Sequence, residues 1–286
     1  MPLHPFRHLF LAAQQRAGAH QGRSGSGATC RADGVAGDIV TVTRHRVSAS
    51  VVDLLRSPDG PRDRQVLFGD TVRIEETKSG WNRVIADKDG YIGWLRSDQL
   101  TADAPATHWI TAPATHAYQE ADFKSRDLVS LSFGSKIQAS TETDRFVETE
   151  LGYIPKVHTA PMTEKPDDPI EVAQLFLGTP YLWGGNSRFG IDCSGLVQAA
   201  LLACGLPCPG DSGDQERALG KTVIEGAPAQ RGDLLFWKGH VAWVSGQNML
   251  LHANASHMAV VFEPMDQAIH RIMNQGDGPV TAHKRL

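Results

Sequence analysis

The stretch Ile191-Asp192-Cys193-Ser194-Gly195-Leu196-Val197-Gln198, continuing through Ala200, Leu201 and Cys204, decides how this chain is read. Leu196, Val197, Ala200, Leu201 and Cys204 recur at i, i+1, i+4, i+5 and i+8, one apolar stripe of a helix facing a core. Asp192 can cap the start of that helix, and Gly205 with Pro207 stops it. Cys193 therefore stands in the first turn. There the helix dipole and free backbone N–H groups favour a thiolate and can hold a developing oxyanion. A structural cysteine belongs on the apolar stripe, where Cys204 is.

A nucleophile needs a base. His240 opens a strand after Lys238-Gly239, and His252 lies in the next strand, Met249-Leu250-Leu251-His252-Ala253. With Gly246-Gln247-Asn248 as the turn, Val244 pairs with Leu250 and Ala242 with His252. The two histidines then share a face as diagonal neighbours, about 7–8 Å apart at the backbone. His240 can take the thiol proton while His252 orients its ring. A lone histidine on a strand is in most cases structural; two on one face after a helix-start cysteine point to chemistry.

Outward from this centre the texture changes at about residue 160. Asp168 before Pro169 and Glu171 reads as a helix start, with the helix running to Leu177 and stopping at Gly178. Strand-like runs follow the second helix over 233–237, 240–245, 249–253 and 259–262, so this half reads as α+β. The earlier half consists of short β-type runs at 39–43, 65–68, 71–75, 82–86 and 91–95. Gly69-Asp70, Ser79-Gly80 and Asp87-Lys88-Asp89-Gly90 stand between them as turns. That spacing suggests a small barrel. Residues 161–166, charged and Pro-rich, read as a linker, and 1–37, rich in Gly, Ser, Ala and Arg, as a disordered tail.

The totals narrow the function classes. Of 286 residues, 41% are hydrophobic and 21% charged, and the net charge is -4, which offers no basic footprint for nucleic acid. No apolar run reaches the about 18 residues of a membrane span. Four cysteines make no disulfide framework, and Cys204-x-x-x-Cys208 lacks a second ligand pair, so neither a metal nor a cofactor is expected. The apolar start at Phe6–Ala13 is too short and too polar for a secretory signal. A cytoplasmic location is therefore expected, with a periplasmic or exported one as the alternative.

Tyr181-Leu182-Trp183-Gly184-Gly185, Asp192-Cys193-Ser194-Gly195-Leu196-Val197-Gln198, Arg231-Gly232-Asp233-Leu234-Leu235-Phe236 and Gly239-His240-Val241-Ala242 together resemble the NlpC/P60 cysteine peptidases over about 166–286. Upstream, Phe68-Gly69-Asp70, Gly80-Trp81-Asn82-Arg83-Val84 and Asp89-Gly90-Tyr91-Ile92-Gly93-Trp94-Leu95 resemble a bacterial SH3 domain. A weaker echo at 132–137, 145–149 and 151–155 suggests a second one. The resemblance implies a papain-like catalytic domain over 161–286, preceded by SH3-like barrels over 38–104 and 105–160. This arrangement is similar to that of the γ-D-glutamyl-L-diamino acid endopeptidases.

The same resemblance implies Cys193 as nucleophile, His240 as base and His252 as the third polar residue. It puts Tyr181 near the oxyanion, and Asp192, Ser194 and Ser212 against the substrate peptide. Tyr91 is the candidate for a barrel wall that closes the groove and reads the amine of an N-terminal L-Ala. For Tyr181 ordinary packing, for Ser212 a plain loop residue and for Tyr91 a barrel-core tyrosine remain open. Relatives often carry an acidic residue before the stretch matching 65–68; here Arg62, Asp63 and Arg64 stand there, and only Asp63 can neutralise an amine. The implied activity is cleavage of the γ-D-glutamyl–diamino acid bond of released muropeptides, with peptidoglycan fragments as the partners. An amidase or acyltransferase on the same fold, or a wall-binding module with a vestigial site, are the alternatives.

Overall fold

In the computed structural model the described residues are Arg44–Leu286. The tail expected over 1–37, Cys30 and the strand expected over 39–43 lie outside them. Strand dominates the described residues, and their few α-helices fall in the second half.

The first unit contains β1 (Arg44–Val47), β2 (Val51–Leu55), β3 (Arg62–Leu67), β4 (Thr71–Lys78), β5 (Trp81–Ala86), β6 (Ile92–Arg96) and β7 (Leu100–Ala102). They form one antiparallel sheet in the order β3-β2-β6-β5-β4-β1-β7. Alternation drives it: along β2, Val52 and Leu54 point into the core and Asp53 out. The core comprises Val47, Val52, Leu54, Val66, Val72, Val84, Ala86 and Leu95. Fully burying a side chain of this size is worth about 1.5–3 kcal/mol. The strand expected at 65–68 begins earlier, at Arg62, because β2, which the sequence reading left unassigned, pairs along its whole length. The strand expected from Tyr91 begins at Ile92, since the Tyr91 N–H is turned to the Asp89 carboxylate.

The second unit contains β8 (His108–Ile110), β9 (Ala114–Tyr118), β10 (Asp127–Ser132), β11 (Lys136–Ile137), β12 (Ala139–Glu142), β13 (Phe146–Thr149), β14 (Gly152–Pro155) and β15 (Thr159–Pro161). They make two sheets, β10-β9-β14-β13-β12 and β11-β8-β15. Ile110, Ala117, Leu131, Ile137 and Ile154 form the core, and Phe68 enters it from the turn after β3. Gly69 makes that junction possible. Its φ is +78°, and a Cβ there would lie 2.1 Å from the Lys136 carbonyl oxygen.

The remainder contains α1 (Pro169–Gln174), β16 (Asn186–Ser187), β17 (Gly190–Ile191), α2 (Cys193–Ala203), α3 (Ser212–Ala218), β18 (Lys221–Thr222), β19 (Leu234–Trp237), β20 (His240–Gly246), β21 (Met249–Asn254), β22 (Ala259–Pro264), α4 (Met265–Gln275) and β23 (Ala282–Arg285). Asp168 caps α1 as its sequence implies, but the helix ends at Gln174, where i→i−3 bonds from Leu175, Phe176 and Leu177 tighten the last turn. The sheet runs β18-β23-β19-β20-β21-β22. α2 packs on β20 and β21. Ala268 and Ile272 of α4 join Leu235, Trp237, Ala242, Val244 and Leu250 in a third core.

The hairpin register matters most. Val244 pairs with Leu250 as expected, and Trp243 with Leu251, but the turn is Gln247-Asn248 rather than Gly246-Gln247-Asn248, because Gly246 pairs with Met249 past a bulge at Ser245. Gln247 and Asn248 both take left-handed φ, 49° and 58°, which gives a tight connection. Leu250 in turn pairs with Glu263. His240, Ala242, Val244, Leu250, His252 and Glu263 therefore lie on one face of the sheet.

Candidate active site

Cys193 is the first residue of α2 and is 7% exposed. Asp192 caps the helix: its Oδ1 accepts the Gly195 N–H at 2.6 Å, and its Oδ2 accepts the Gly184 N–H at 2.9 Å. The Sγ lies 4.0 Å from the Gly239 carbonyl oxygen, which sets the thiol beside the entry to β20. Burial pushes the thiol up to about 12 and Asp192 adds to this, while the backbone N–H groups of Val241 and Ser194, then Arg64, oppose it. The helix dipole favours a thiolate at this position, and burial works against it.

The histidines meet as the register requires. His240 Nε2 is 3.0 Å from His252 Nδ1. His252, 1% exposed, turns Nε2 to Glu263 Oε2 at 3.0 Å. Arg271 of α4 grips the same carboxylate with two bonds, Nε to Oε1 at 2.9 Å and Nη2 to Oε2 at 2.7 Å. Burial pushes His240 down to about 3, helped by His252 and Arg271 and opposed by Glu263. His252 is lowered mainly by burial as well. Both rings are neutral at rest.

Arg64 reaches this helix start from β3. It is 3% exposed, and its Nη1 bonds Asp192 Oδ2 and Ser194 Oγ at 3.0 Å each, while Nη2 bonds Asn186 Oδ1 at 2.9 Å. The Ser194 hydroxyl also donates to Asp192 Oδ1. The polar atoms of Asp192 and Ser194, expected against substrate, are thus taken up inside the protein. They form the floor under Cys193.

Tyr91 joins the first barrel to the residue before α3. Its ring packs at the edge of the first barrel's core, and its hydroxyl donates to Asp211 Oδ2 at 3.1 Å. Asp211 stands at the cap position of α3 but makes no capping bond; its half-exposed carboxylate turns to Tyr91 and lies 3.9 Å from Arg64. Burial raises the Asp211 pKa, and burial followed by Asp211 raises that of Tyr91. Ser212, next in chain, opens α3 and is partly exposed. Tyr181 is also partly exposed, its hydroxyl pushed up by burial, then by Cys193 and Asp192. Asp63 is held by Arg56 at 3.0 Å. Cys204 and Cys208 are free thiols; Cys208 accepts from Gln215, whose amide also donates to the Ser194 carbonyl.

Sequence reasoning gave no role to Glu263, Arg271 and Asp211, and treated Arg64 only as a departure. Asp211 alone had a signal, as the neighbour of Ser212.

Comparison with known proteins agrees with this geometry. Residues 178–273 match the NlpC/P60 family, and residues 54–100 match the bacterial dipeptidyl-peptidase Sh3 domain. The gamma-D-glutamyl-L-lysine dipeptidyl-peptidase of Bacillus subtilis (strain 168) is 30% identical over 232 residues, covering 72% of this chain and 77% of that protein. Dipeptidyl-peptidase 6 of Lysinibacillus sphaericus is 30% identical over 260 residues, covering 77% and 91%. The crystal structure of an NlpC/P60 family protein from Bacillus cereus ATCC 10987 superposes with a TM-score of 0.72 at 22% identity, covering 85% of this chain and 99% of that one. With a helix-start cysteine, a same-face histidine pair and an N-terminal SH3-like domain in place, the chain belongs to the NlpC/P60 family.

Proposed function

We propose that this protein is a cysteine peptidase that hydrolyses the γ-D-glutamyl–diamino acid bond of short peptidoglycan-derived peptides. The observation that carries the reading is the 3.0 Å contact between His240 and His252, set behind a cysteine that opens a helix. The names of the Bacillus subtilis and Lysinibacillus sphaericus relatives support the substrate class. In this reading residues 38–104 and 105–160 are two SH3-like barrels and 161–286 is the catalytic domain. The two small sheets around Ile110 and Ile154 support the second barrel.

Chemistry follows from two neutral partners. As the γ-glutamyl carbonyl reaches Cys193, Sγ attacks its carbon and the thiol proton passes to His240. The oxyanion is held by the Cys193 N–H and the Tyr181 hydroxyl. Collapse breaks the C–N bond, and His240 returns the proton to the departing amine of the diamino acid. Water, deprotonated by His240, then cleaves the thioester and frees L-Ala-γ-D-Glu. Tyr91 and Asp211 close the far end of the groove and hold the L-Ala ammonium, which limits the enzyme to short, released peptides. Asp211, half-exposed and beside Tyr91, suits this role better than Asp63, which Arg56 already neutralises.

The full chain incubated with L-Ala-γ-D-Glu-diaminopimelate should release L-Ala-γ-D-Glu, read by mass spectrometry, and Cys193→Ala should not. No product from the wild type, or equal product from the variant, overturns the proposal.

A further inference from the structure

The geometry points to Glu263 as a positioning residue that, clamped by Arg271, fixes which nitrogen of His240 is free to take the Cys193 proton. This rests on the proposed cysteine chemistry and extends it two residues beyond the histidine pair.

The argument is one of donors and acceptors. Two bonds from Arg271 hold the Glu263 carboxylate well below the usual range, although burial works the other way, so it is ionised and can only accept. His252 Nε2, 3.0 Å from it, must then carry a hydrogen. Asn254 Nδ2 also stands 3.0 Å from this nitrogen, but it is a donor and offers nothing to an N–H. Its orientation is set because the His257 backbone N–H donates to Asn254 Oδ1 at 2.8 Å. Being neutral, His252 has a bare Nδ1. His240 Nε2, 3.0 Å away, must therefore donate to it. The remaining nitrogen of His240, Nδ1, is left with an open lone pair.

One carboxylate thus fixes the tautomers of two rings in series. It also acts when the proton moves. The His240 imidazolium faces His252 from β21, Glu263 from β22 and Arg271 from α4, with His257 beyond His252. Of these, Glu263 is the group that favours the charged ring at rest. In Glu263→Gln the amide N–H2 must face either an Arg271 donor or the His252 Nε2–H. Flipping the His252 tautomer relieves that conflict, and it strands the His240 proton on Nδ1.

The test pairs kinetics with 15N NMR of the histidine rings in the full chain. Wild type, and Cys193→Ala as an inert background, should both show His252 and His240 protonated at Nε2 and bare at Nδ1. Glu263→Gln should shift both rings towards the Nδ1–H form. It should lower kcat by about 100-fold with KM nearly constant, and move the acidic limb of the kcat profile down by about one pH unit, because an anion near the imidazolium is gone. Glu263→Asp should recover most of the rate and the original limb. His252 found protonated at Nδ1 in wild type overturns the proposal even if no variant folds. So does Glu263→Gln with wild-type tautomers, or with a lower rate explained by lost thermal stability and an unmoved limb. If wild type cleaves no γ-glutamyl peptide, the functional reading fails while the ring shifts still decide this one.

Discussion

Arg64 of the first barrel and Asp192 of the catalytic unit form a buried ion pair at 3.0 Å, 128 residues apart in the chain, directly beneath the residue that opens α2. Each lies almost wholly out of water, so removing one strands the other. Arg64→Met should cost about 3–5 kcal/mol in urea unfolding. It should also lower kcat/KM more than a loss of folded protein explains, because the uncancelled Asp192 charge opposes negative charge on Cys193. Arg64→Lys keeps the charge but not the fork that holds Asp192, Ser194 and Asn186 together, and should fall between.

In the proposed reading Tyr91 and Asp211 hold the substrate's free amine. Tyr91→Phe and Asp211→Asn should each raise KM for L-Ala-γ-D-Glu-diaminopimelate by about 10-fold, the worth of a hydrogen bond to a charged group, and leave kcat nearly unchanged. The same peptide acetylated at its amine should be cleaved poorly by the wild type and no worse by the variants. Equal KM values for the two peptides with wild type would remove the amine from the account.

Asp70 joins the first barrel to the second unit. It is 4% exposed and accepts from Lys88 at 2.9 Å, from Lys136 at 3.1 Å and from the Leu67 N–H at 3.1 Å. Burial raises its pKa, but Lys88 and Lys136 outweigh this and hold the carboxylate well below its ordinary value. The sign follows: the stabilisation is fully present above about pH 4, where the unfolded group is also ionised, and is lost as pH falls below that. Asp70→Asn should cost about 3–5 kcal/mol at pH 7, since it leaves two lysines without their anion. The gap between wild type and variant in urea unfolding should narrow at pH 3.

Gly184 is where the catalytic unit meets the first barrel's backbone. Its φ is +69°, and a Cβ there would lie 2.5 Å from the Asp63 carbonyl oxygen. Gly184→Ala should cost more than the about 1–3 kcal/mol of a left-handed non-glycine residue alone. Gly178, at φ +78° with nothing near its would-be Cβ, supplies the control: Gly178→Ala should show the strain without the clash. Urea midpoints of the two variants give the difference.

Much of the chemistry was legible in the sequence because it depends on short range. Asp192 and Cys193 are adjacent, and the α2 stripe and the His240–His252 hairpin follow from periods of 3.6 and 2 within a dozen residues. What escaped depends on long-range pairing. Glu263 gains its place from the β21–β22 register and from α4, a helix whose start, after Pro264, carries no side-chain cap to announce it. Arg64 looked like a departure because its partner lies across the interface between units. The burial that opposes the dipole at Cys193 was hidden because local sequence says nothing of how deeply a thiol lies.

The tight connection at Gln247-Asn248 carries a further consequence. Side chains on a strand alternate, so an inserted residue that slipped the pairing of β21 by one, instead of being absorbed in a bulge like the one between Val244 and Gly246, would turn His252 to the opposite side of the sheet while changing no catalytic residue. A homologue could keep every motif letter and still be inert through a single-codon difference in loop length, which makes the spacing of this hairpin as informative in a genome as the cysteine itself.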